Sequence, residues 1–311
     1  MTNSPLTVLI LAAGHGTRMK SATLKLLHKA AGMPLVDHVR AIAESLSPER
    51  IAFVVAPGME ALHKRVEPHQ AIIQSPAKGT GHAVQVAMNE LKAVQGFILV
   101  MLGDCPLVTS DDARAVLKAC QSDDTIDAAF LSAQVDMPQG LGRMILGPDG
   151  HTLLEIVEEA DATDAQKKIT LINGGLVALR ADKLPALLAR LSDGNNQGEL
   201  YLTDLPKLIA ADGRKAVAVE TRPDHILGVN TRAQLAGVEA VLQARLRLAA
   251  MSHGVTLIDP HTVYFSMDTT YDRDVIIEPN VFLSTGVKLE EGVRVRAFTH
   301  LEDVHLHKNA A

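Results

Sequence analysis

The sequence predicts an α/β domain built on a buried parallel sheet, followed by a linker helix and the start of a left-handed parallel β-helix. Three observations carry this reading. A charge-free, β-branched run from Thr7 to Leu11 ends in Ala12-Ala13-Gly14, with Gly16, Thr17, Arg18 and Lys20 close behind. Strand-like apolar runs then alternate with helix-spaced ones, as in a parallel sheet with helices on both faces. From Val255 the period becomes six. Ile277, Leu283, Leu289, Val295 and Leu301 form one series, Val281, Val287 and Val293 a second, and Pro279, Gly286 and Gly292 fall between them. A helix cannot repeat every six residues, whereas a coil of three short strands does.

The first loop is read as a phosphate holder. Small residues after a buried strand let backbone N–H groups approach an anion, and the following cations neutralise it. It is not a dinucleotide fingerprint, because Met19 stands where a third glycine is needed. Nor is it a P-loop, since Gly16-Thr17-Arg18 lacks the Gly-Lys-Ser/Thr ending.

Further along, Leu35 to Leu46 has helical spacing, Ile51 to Ala56 is a strand closed by Pro57-Gly58, and Met59 to Val66 is helical before a strand at Ala71 to Ile73. Gln74 then carries an amide able to pair with a uracil edge as donor and acceptor. Gly79-Thr80-Gly81 forms a loop before a helix from Ala83 to Leu91, able to bring backbone and a hydroxyl against a base or ribose. His82 is read as structural. Phe97 to Leu102, the most apolar strand, ends in Gly103-Asp104, which places a carboxylate where ligands bind in open α/β sheets. A carboxylate there needs a partner, and beside a triphosphate a hard cation is the natural one. Cys105 is read as a small buried hydrophobe.

In the second half, strands are expected at Asp127 to Val135, Leu153 to Glu158, Leu176 to Leu179 after Asn173-Gly174-Gly175, and Lys215 to Glu220. Glu158, Glu159 and Asp161 read by default as a solvated acidic edge, and Asn173 as a turn residue. Asn230 and Thr231 are placed to cap a helix running to about Ala250. About two coils of β-helix precede Ala311, so the pattern predicts a solenoid cut short. His300, His305 and His307 read as polar residues on its outer rungs rather than as a metal cluster.

Composition narrows the class. The chain has 311 residues, a net charge of −6, and no Lys/Arg block, which argues against nucleic acid as a partner. Its two cysteines, Cys105 and Cys120, fit neither a zinc site nor a disulfide framework. No stretch reaches the ~20 apolar residues needed to span a bilayer, and the amino terminus lacks a signal peptide's features. The expectation is a cytoplasmic protein with no membrane association.

Taken together, the first loop, Gln74, Gly79-Thr80-Gly81-His82, Gly103-Asp104, Asn173, Tyr201-Leu202-Thr203-Asp204, Gly228-Val229-Asn230-x-Arg232 and the hexapeptide start closely resemble the bacterial bifunctional enzymes of UDP-N-acetylglucosamine synthesis. In that family a Rossmann-like nucleotide-diphospho-sugar transferase domain is fused to a β-helical acetyltransferase. The resemblance implies a uridylyltransferase domain at 1–229, a linker helix at 230–251 and the first acetyltransferase coils at 252–311. It implies Mg²⁺-dependent transfer of UMP from UTP to N-acetylglucosamine 1-phosphate, a step toward cell-wall and lipopolysaccharide precursors. A homotrimer formed through the β-helix is also implied, whereas acetyl transfer is not expected, because the family's acetyltransferase site lies in later coils.

Residue by residue, the resemblance makes Leu11, Ala12, Ala13, Gly14, Gln74, Gly79, Thr80, Leu102, Gly103 and Asp104 nucleotide contacts. Arg18 and Lys25 become the catalytic cations, and Gly142, Glu158, Asn173 and Asn230 the sugar and ribose contacts. Asp104 and Asn230 become the Mg²⁺ ligands. Two positions depart from the family: Thr23-Leu24-Lys25 replaces its usual Leu-Pro-Lys, and Leu102 replaces its usual Tyr. The competing readings are a nucleotidyltransferase for another sugar 1-phosphate and a catalytically silent β-helix scaffold.

Overall fold

The structure, a computed structural model, describes residues 4–311. It divides into two compact units. One comprises the described residues up to Leu26 together with Val36–Gly228, and the other Leu27–Leu35 with Val229–Ala311. The short segment 27–35 therefore belongs with the C-terminal unit, a crossing that periodicity cannot reveal.

In chain order the elements are β1 (Leu6–Leu11), the two-residue strands β2 (Lys29–Ala30) and β3 (Met33–Pro34), α1 (Leu35–Ser45), β4 (Arg50–Val55), α2 (Glu60–Val66), β5 (Gln70–Ile73), α3 (Thr80–Leu91), β6 (Phe97–Leu102), α4 (Ser110–Gln121), β7 (Ile126–Gln134), β8 (Arg143–Leu146), β9 (Leu153–Val157), β10 (Leu171–Arg180), α5 (Leu184–Leu188), α6 (Leu205–Ala211), β11 (Lys215–Glu220) and α7 (Arg232–Ser252). The first unit is organised on one sheet with strand order β11-β7-β10-β6-β1-β4-β5, and the β8–β9 hairpin joins through β10. β1, β4, β5 and β6 pair in parallel, as their uninterrupted apolar runs predict. β10 departs from the expected all-parallel sheet, running antiparallel to both β6 and β7. An apolar strand reads the same in either direction, so the pattern does not fix its sense.

The core is aliphatic. Leu9, Val54, Ile98, Val100 and Leu179 lie at its centre, all at most 1% exposed. α4 starts with a capping box, in which the Thr109 hydroxyl accepts from the Asp112 amide and the Asp112 carboxylate accepts from the Thr109 amide. Thr221 and His225 also reach that carboxylate, which fastens residues 221–225 to the start of α4.

The second unit is the start of the left-handed β-helix. Nine short strands stack as three parallel ladders: β12 (Thr256–Leu257), β15 (Ile276–Ile277) and β18 (Arg294–Val295); β13 (Val263–Tyr264), β16 (Val281–Leu283) and β19 (His300–Leu301); β14 (Thr270–Tyr271), β17 (Lys288–Leu289) and β20 (His305–Leu306). Both hexapeptide series point inward, with Ile277, Val281, Leu283, Val287, Leu289, Val293 and Val295 at most 3% exposed and Leu301 packed against them. Within this unit α7 lies against the first coil. The buried Gln243 side chain donates to the Phe265 carbonyl and accepts from its amide, substituting for a neighbouring strand. Thr231 caps α7, as expected, by accepting from the Gln234 amide.

Candidate active site

The carboxyl ends of β1 and β6 lie side by side, with Leu11 in register with Leu102. From β1 the chain moves to β4 and β5 on one side and returns to β6 on the other. This is a topological switch point, where open α/β sheets form their ligand crevice. A cavity of about 320 Å³ opens there, lined by Leu11, Ala12, Ala13, Gly14, Lys25, Gln74, Gly79, Thr80, Leu102 and Asp104. Glu199 also lines it, a carboxylate that nothing in the sequence singled out. Gly103 sits behind the wall, its amide donating to the Leu11 carbonyl and so extending the β6–β1 pairing by one residue.

Lys25 and Asp104 form the charged centre. The Lys25 ammonium lies 2.5 Å from one Asp104 oxygen, and both side chains are mostly buried. Gly16 makes this possible. A Cβ there would stand 2.4 Å from the Lys25 Cβ, and its φ of +65° suits glycine, so the loop can close over the lysine stem. The second Asp104 oxygen takes a 3.7 Å contact from the Cys105 thiol. Burial pushes that thiol well above its ordinary range, which keeps it inert. Arg18 lies on the short 3-10 turn Thr17–Met19, exposed and outside the cavity lining.

Gln74 is 3% exposed and more constrained than the sequence suggested. Its amide nitrogen donates to the Gly79 carbonyl at 3.0 Å and meets His82 Nδ1 at 3.1 Å. A carbonyl can only accept, so the amide orientation is fixed and its donor side is used within the protein. What Gln74 offers a ligand is its carbonyl oxygen. His82 must accept at Nδ1, and burial, with help from Lys78, lowers its pKa and favours this neutral form.

The expected loop at 79–81 is instead the first turn of α3, which begins at Thr80. Gly79 is its cap at φ +94°, and a Cβ there would sit 2.6 Å from the Leu200 carbonyl oxygen. The Thr80 hydroxyl accepts from the Leu202 amide, so it anchors the Tyr201–Asp204 segment.

A second cluster gathers Gly142, Glu158 and Asn173. The Asn173 amide donates to the Gly142 carbonyl at 2.9 Å, and a Cβ on Gly142 would lie 3.4 Å from both Glu158 oxygens. The reading of 158–161 as a solvated edge does not hold for Glu158. Its carboxylate accepts from the Thr203 hydroxyl at 2.8 Å, and burial raises its pKa. Glu159 instead pairs at 2.5 Å with Arg143, which is 1% exposed. Asn173 sits beside a bulge in the β10–β7 pairing, its side-chain oxygen accepting from the Gly175 amide.

Tyr201 is buried, and its hydroxyl has no hydrogen-bond partner among the described residues. Burial, with Asp161 and Glu158 nearby, pushes its pKa up to about 12. Besides Glu199, residue-by-residue reading missed Arg143, Thr203 and the Tyr201 hydroxyl. The Tyr-Leu-Thr-Asp segment was visible as a motif, whereas nothing local marks Arg143 as buried. Asn230 lies in the C-terminal unit just before α7, its amide donating to the Gln234 side-chain oxygen at 2.9 Å.

Comparison with known proteins agrees with this geometry. Residues 8–198 match the family described as MobA-like NTP transferase domain. The chain is 42% identical over 302 residues to the bifunctional protein GlmU of Paramagnetospirillum magneticum, covering 97% of this chain and 67% of that protein. It is likewise 42% identical over 301 residues to GlmU of Sphingopyxis alaskensis, covering 96% and 66%. The chain thus spans about two thirds of the length of these curated relatives. Among solved structures, a putative glucose-1-phosphate thymidylyltransferase from Bacillus anthracis superposes with a TM-score of 0.62 at 19% identity, covering 76% of this chain and 94% of that one. A CMP:2-keto-3-deoxy-manno-octonic acid synthetase reaches a TM-score of 0.58 at 18% identity, covering 78% and 100%. At such identities these two report the fold alone. The chain belongs to the GlmU family and carries its nucleotidyltransferase domain.

Proposed function

We propose, with that membership as the premise, that the chain transfers the uridylyl group of UTP to N-acetylglucosamine 1-phosphate. The observation that carries this reading is the switch-point cavity, where the Lys25–Asp104 pair and the Gln74 carbonyl face one space. The free side of Gln74 is an acceptor, which suits the N–H of a uracil ring and disfavours cytosine, whose ring nitrogen there is itself an acceptor.

A phosphate oxygen of the sugar phosphate attacks the α-phosphorus of UTP. The bond from that phosphorus to the bridging oxygen breaks, and pyrophosphate leaves with the electron pair. The attacking oxygen is already ionised, so no general base is needed. The work of the site is to position two anions and neutralise them. Lys25, held at the cavity wall by Gly16, supplies buried positive charge, and Arg18 supplies more at the end of the glycine loop. Asp104, with one oxygen on Lys25 and the other lightly engaged, fits a hard divalent ion. Asp104 would hold Mg²⁺, for which the family resemblance gives Asn230 as second ligand, and the ion would supply positive charge that neutralises the phosphates. Glu158, Asn173 and Gly142 form the acceptor pocket for the sugar. The product is a precursor of cell-wall polymers and lipopolysaccharide, and the family's trimeric assembly is part of this reading.

The test is pyrophosphate release with UTP and Mg²⁺, comparing N-acetylglucosamine 1-phosphate, glucosamine 1-phosphate and glucose 1-phosphate. Preference for the first supports the proposal. Activity only with glucose 1-phosphate keeps the chemistry and replaces the acceptor, and silence with all three moves the reading to a scaffold. In the same assay Arg18→Ala is expected to lose on the order of 10²–10³ in rate while staying folded.

A further inference from the structure

The outer face of the β-helix carries two histidines that the sequence reading treated as polar decoration. The structure adds a third group from one coil earlier. Neighbours on successive coils are normally 18 residues apart, as Asp268 and Gly286 are. Between β19 and β20 the chain is one residue short, so β17 pairs β20 as Lys288 with His305 and Leu289 with Leu306. Leu306 takes the inward place that a period of six would give to residue 307, and it packs against the core. His305 and His307 therefore flank it on the same outward face. Glu290 lies in register with His307 on the coil before, 17 residues away.

We propose that Glu290, His305 and His307 form a binding site for one divalent transition-metal ion of the zinc class. The His305 Nε2 and His307 Nδ1 atoms lie 2.9 Å and 3.2 Å from the same Glu290 oxygen, and all three candidate donor atoms lie within 4.8 Å of one another. Donors bonded to zinc at about 2.0–2.1 Å stand roughly 3.3 Å apart along a tetrahedral edge, so modest side-chain rotation brings this trio into place. The two rings are already turned toward each other, with centroids 4.4 Å apart.

The carboxylate is also fixed from behind. Its other oxygen accepts from the Lys308 amide at 2.8 Å, the kind of outer contact that orients a ligating group. The Lys308 ammonium is drawn aside to Glu291 at 3.1 Å. Two imidazoles select the zinc class over Mg²⁺ or Ca²⁺, which take oxygen ligands. His300 stays outside the set, because its Nε2 lies 2.9 Å from the Ser284 hydroxyl and its ring packs edge-on to Phe282.

The site is tested by calorimetric titration of Zn²⁺ into the full chain with excess Mg²⁺ and no nucleotide, and by the visible absorption of bound Co²⁺. One saturable site is expected, weakened at least about tenfold by His307→Ala and abolished by the His305→Ala/His307→Ala pair, with the Co²⁺ band lost in parallel. Glu290→Gln weakens binding and changes the band shape while leaving circular dichroism intact. No saturable Zn²⁺ binding overturns the proposal. So does binding that survives the double variant, because the chain's other histidines would then hold the ion. These side chains are exposed or half-exposed, and circular dichroism of each variant separates loss of the site from loss of the fold.

Discussion

In the α/β unit the groups that meet come from far apart in the chain: Lys25 reaches Asp104 across 79 residues, and Thr80 reaches Leu202 across 122. In the β-helix, contacts recur mostly at a separation of 18, and at the departure to 17 Glu290 meets His305 and His307. A solenoid writes its contacts into its period, so each coil depends on its neighbours and little else. A doubly wound sheet writes only residue types into the sequence and leaves their meeting to topology. Damage to the two units should therefore differ in kind, with loss of chemistry in the first and loss of local stability in the second.

The largest effect tests the first half of that contrast. Asp104→Asn is expected to lower pyrophosphate release by on the order of 10³, because the charge that holds Lys25, and in the proposed reaction the divalent ion, disappears. Far-ultraviolet circular dichroism should stay unchanged. A variant with near-normal activity would remove Asp104 from the centre of the site. Next in size, Leu289→Ala in the β-helix core, where the side chain is 2% exposed, should cost about 2–5 kcal/mol by urea unfolding. The exposed Phe298, at 84%, should tolerate alanine within about 0.5 kcal/mol. Equal losses at the two positions would mean that the outer face is packed in solution.

Gly79→Ala joins the two kinds of damage. Its φ of +94° and the 2.6 Å approach to Leu200 call for a cost of about 1–3 kcal/mol, measured by urea midpoint. Because Thr80 and Gln74 both depend on that turn, the KM for UTP should rise as well. A stability loss with unchanged KM would separate the turn from nucleotide binding.

These cases also show what could be read in advance. The glycine loop, Gln74, Gly79-Thr80 and Asp104 were legible because phosphate and nucleotide chemistry restricts residue types around a strand end, and the cavity brings them together. The hexapeptide series was legible because the inward residues from Ile277 to Leu301 obey one period. The direction of β10 was not, since an apolar run looks the same either way. Nor was the burial of Glu158, which depends on Thr203 arriving from another segment. The use of Gln74's donors was hidden for a related reason: it is set by the Gly79 carbonyl, a backbone atom that carries no sequence signal. Glu290 was missed beside His305 and His307 because its relation to them depends on a single absent residue.

The smallest expected effect concerns charge, and here the units differ in sign. Burial raises the Glu158 carboxyl, against the Thr203 hydrogen bond and with Asp161 and Asp204 adding to the rise. On the β-helix, the hydrogen bond from the Ala297 amide, then the contact from Arg294, lowers Glu278. A raised native pKa means that the folded state holds the proton more tightly. The stability Glu158 contributes is therefore complete below its unfolded pKa of about 4.3 and is lost as pH rises through the native value. Glu278 behaves oppositely: its contribution is present above the unfolded value and is lost as pH falls through the native one. At pH 7, Glu158→Gln should raise the urea midpoint slightly while increasing the KM for the sugar phosphate by about tenfold, the scale of one lost hydrogen bond. Glu278→Gln should lower the midpoint slightly and leave KM alone. Both differences should shrink toward pH 4. If Glu158→Gln instead lowered the midpoint at pH 7, the Thr203 contact would be a structural clamp, and Glu158 would leave the acceptor pocket.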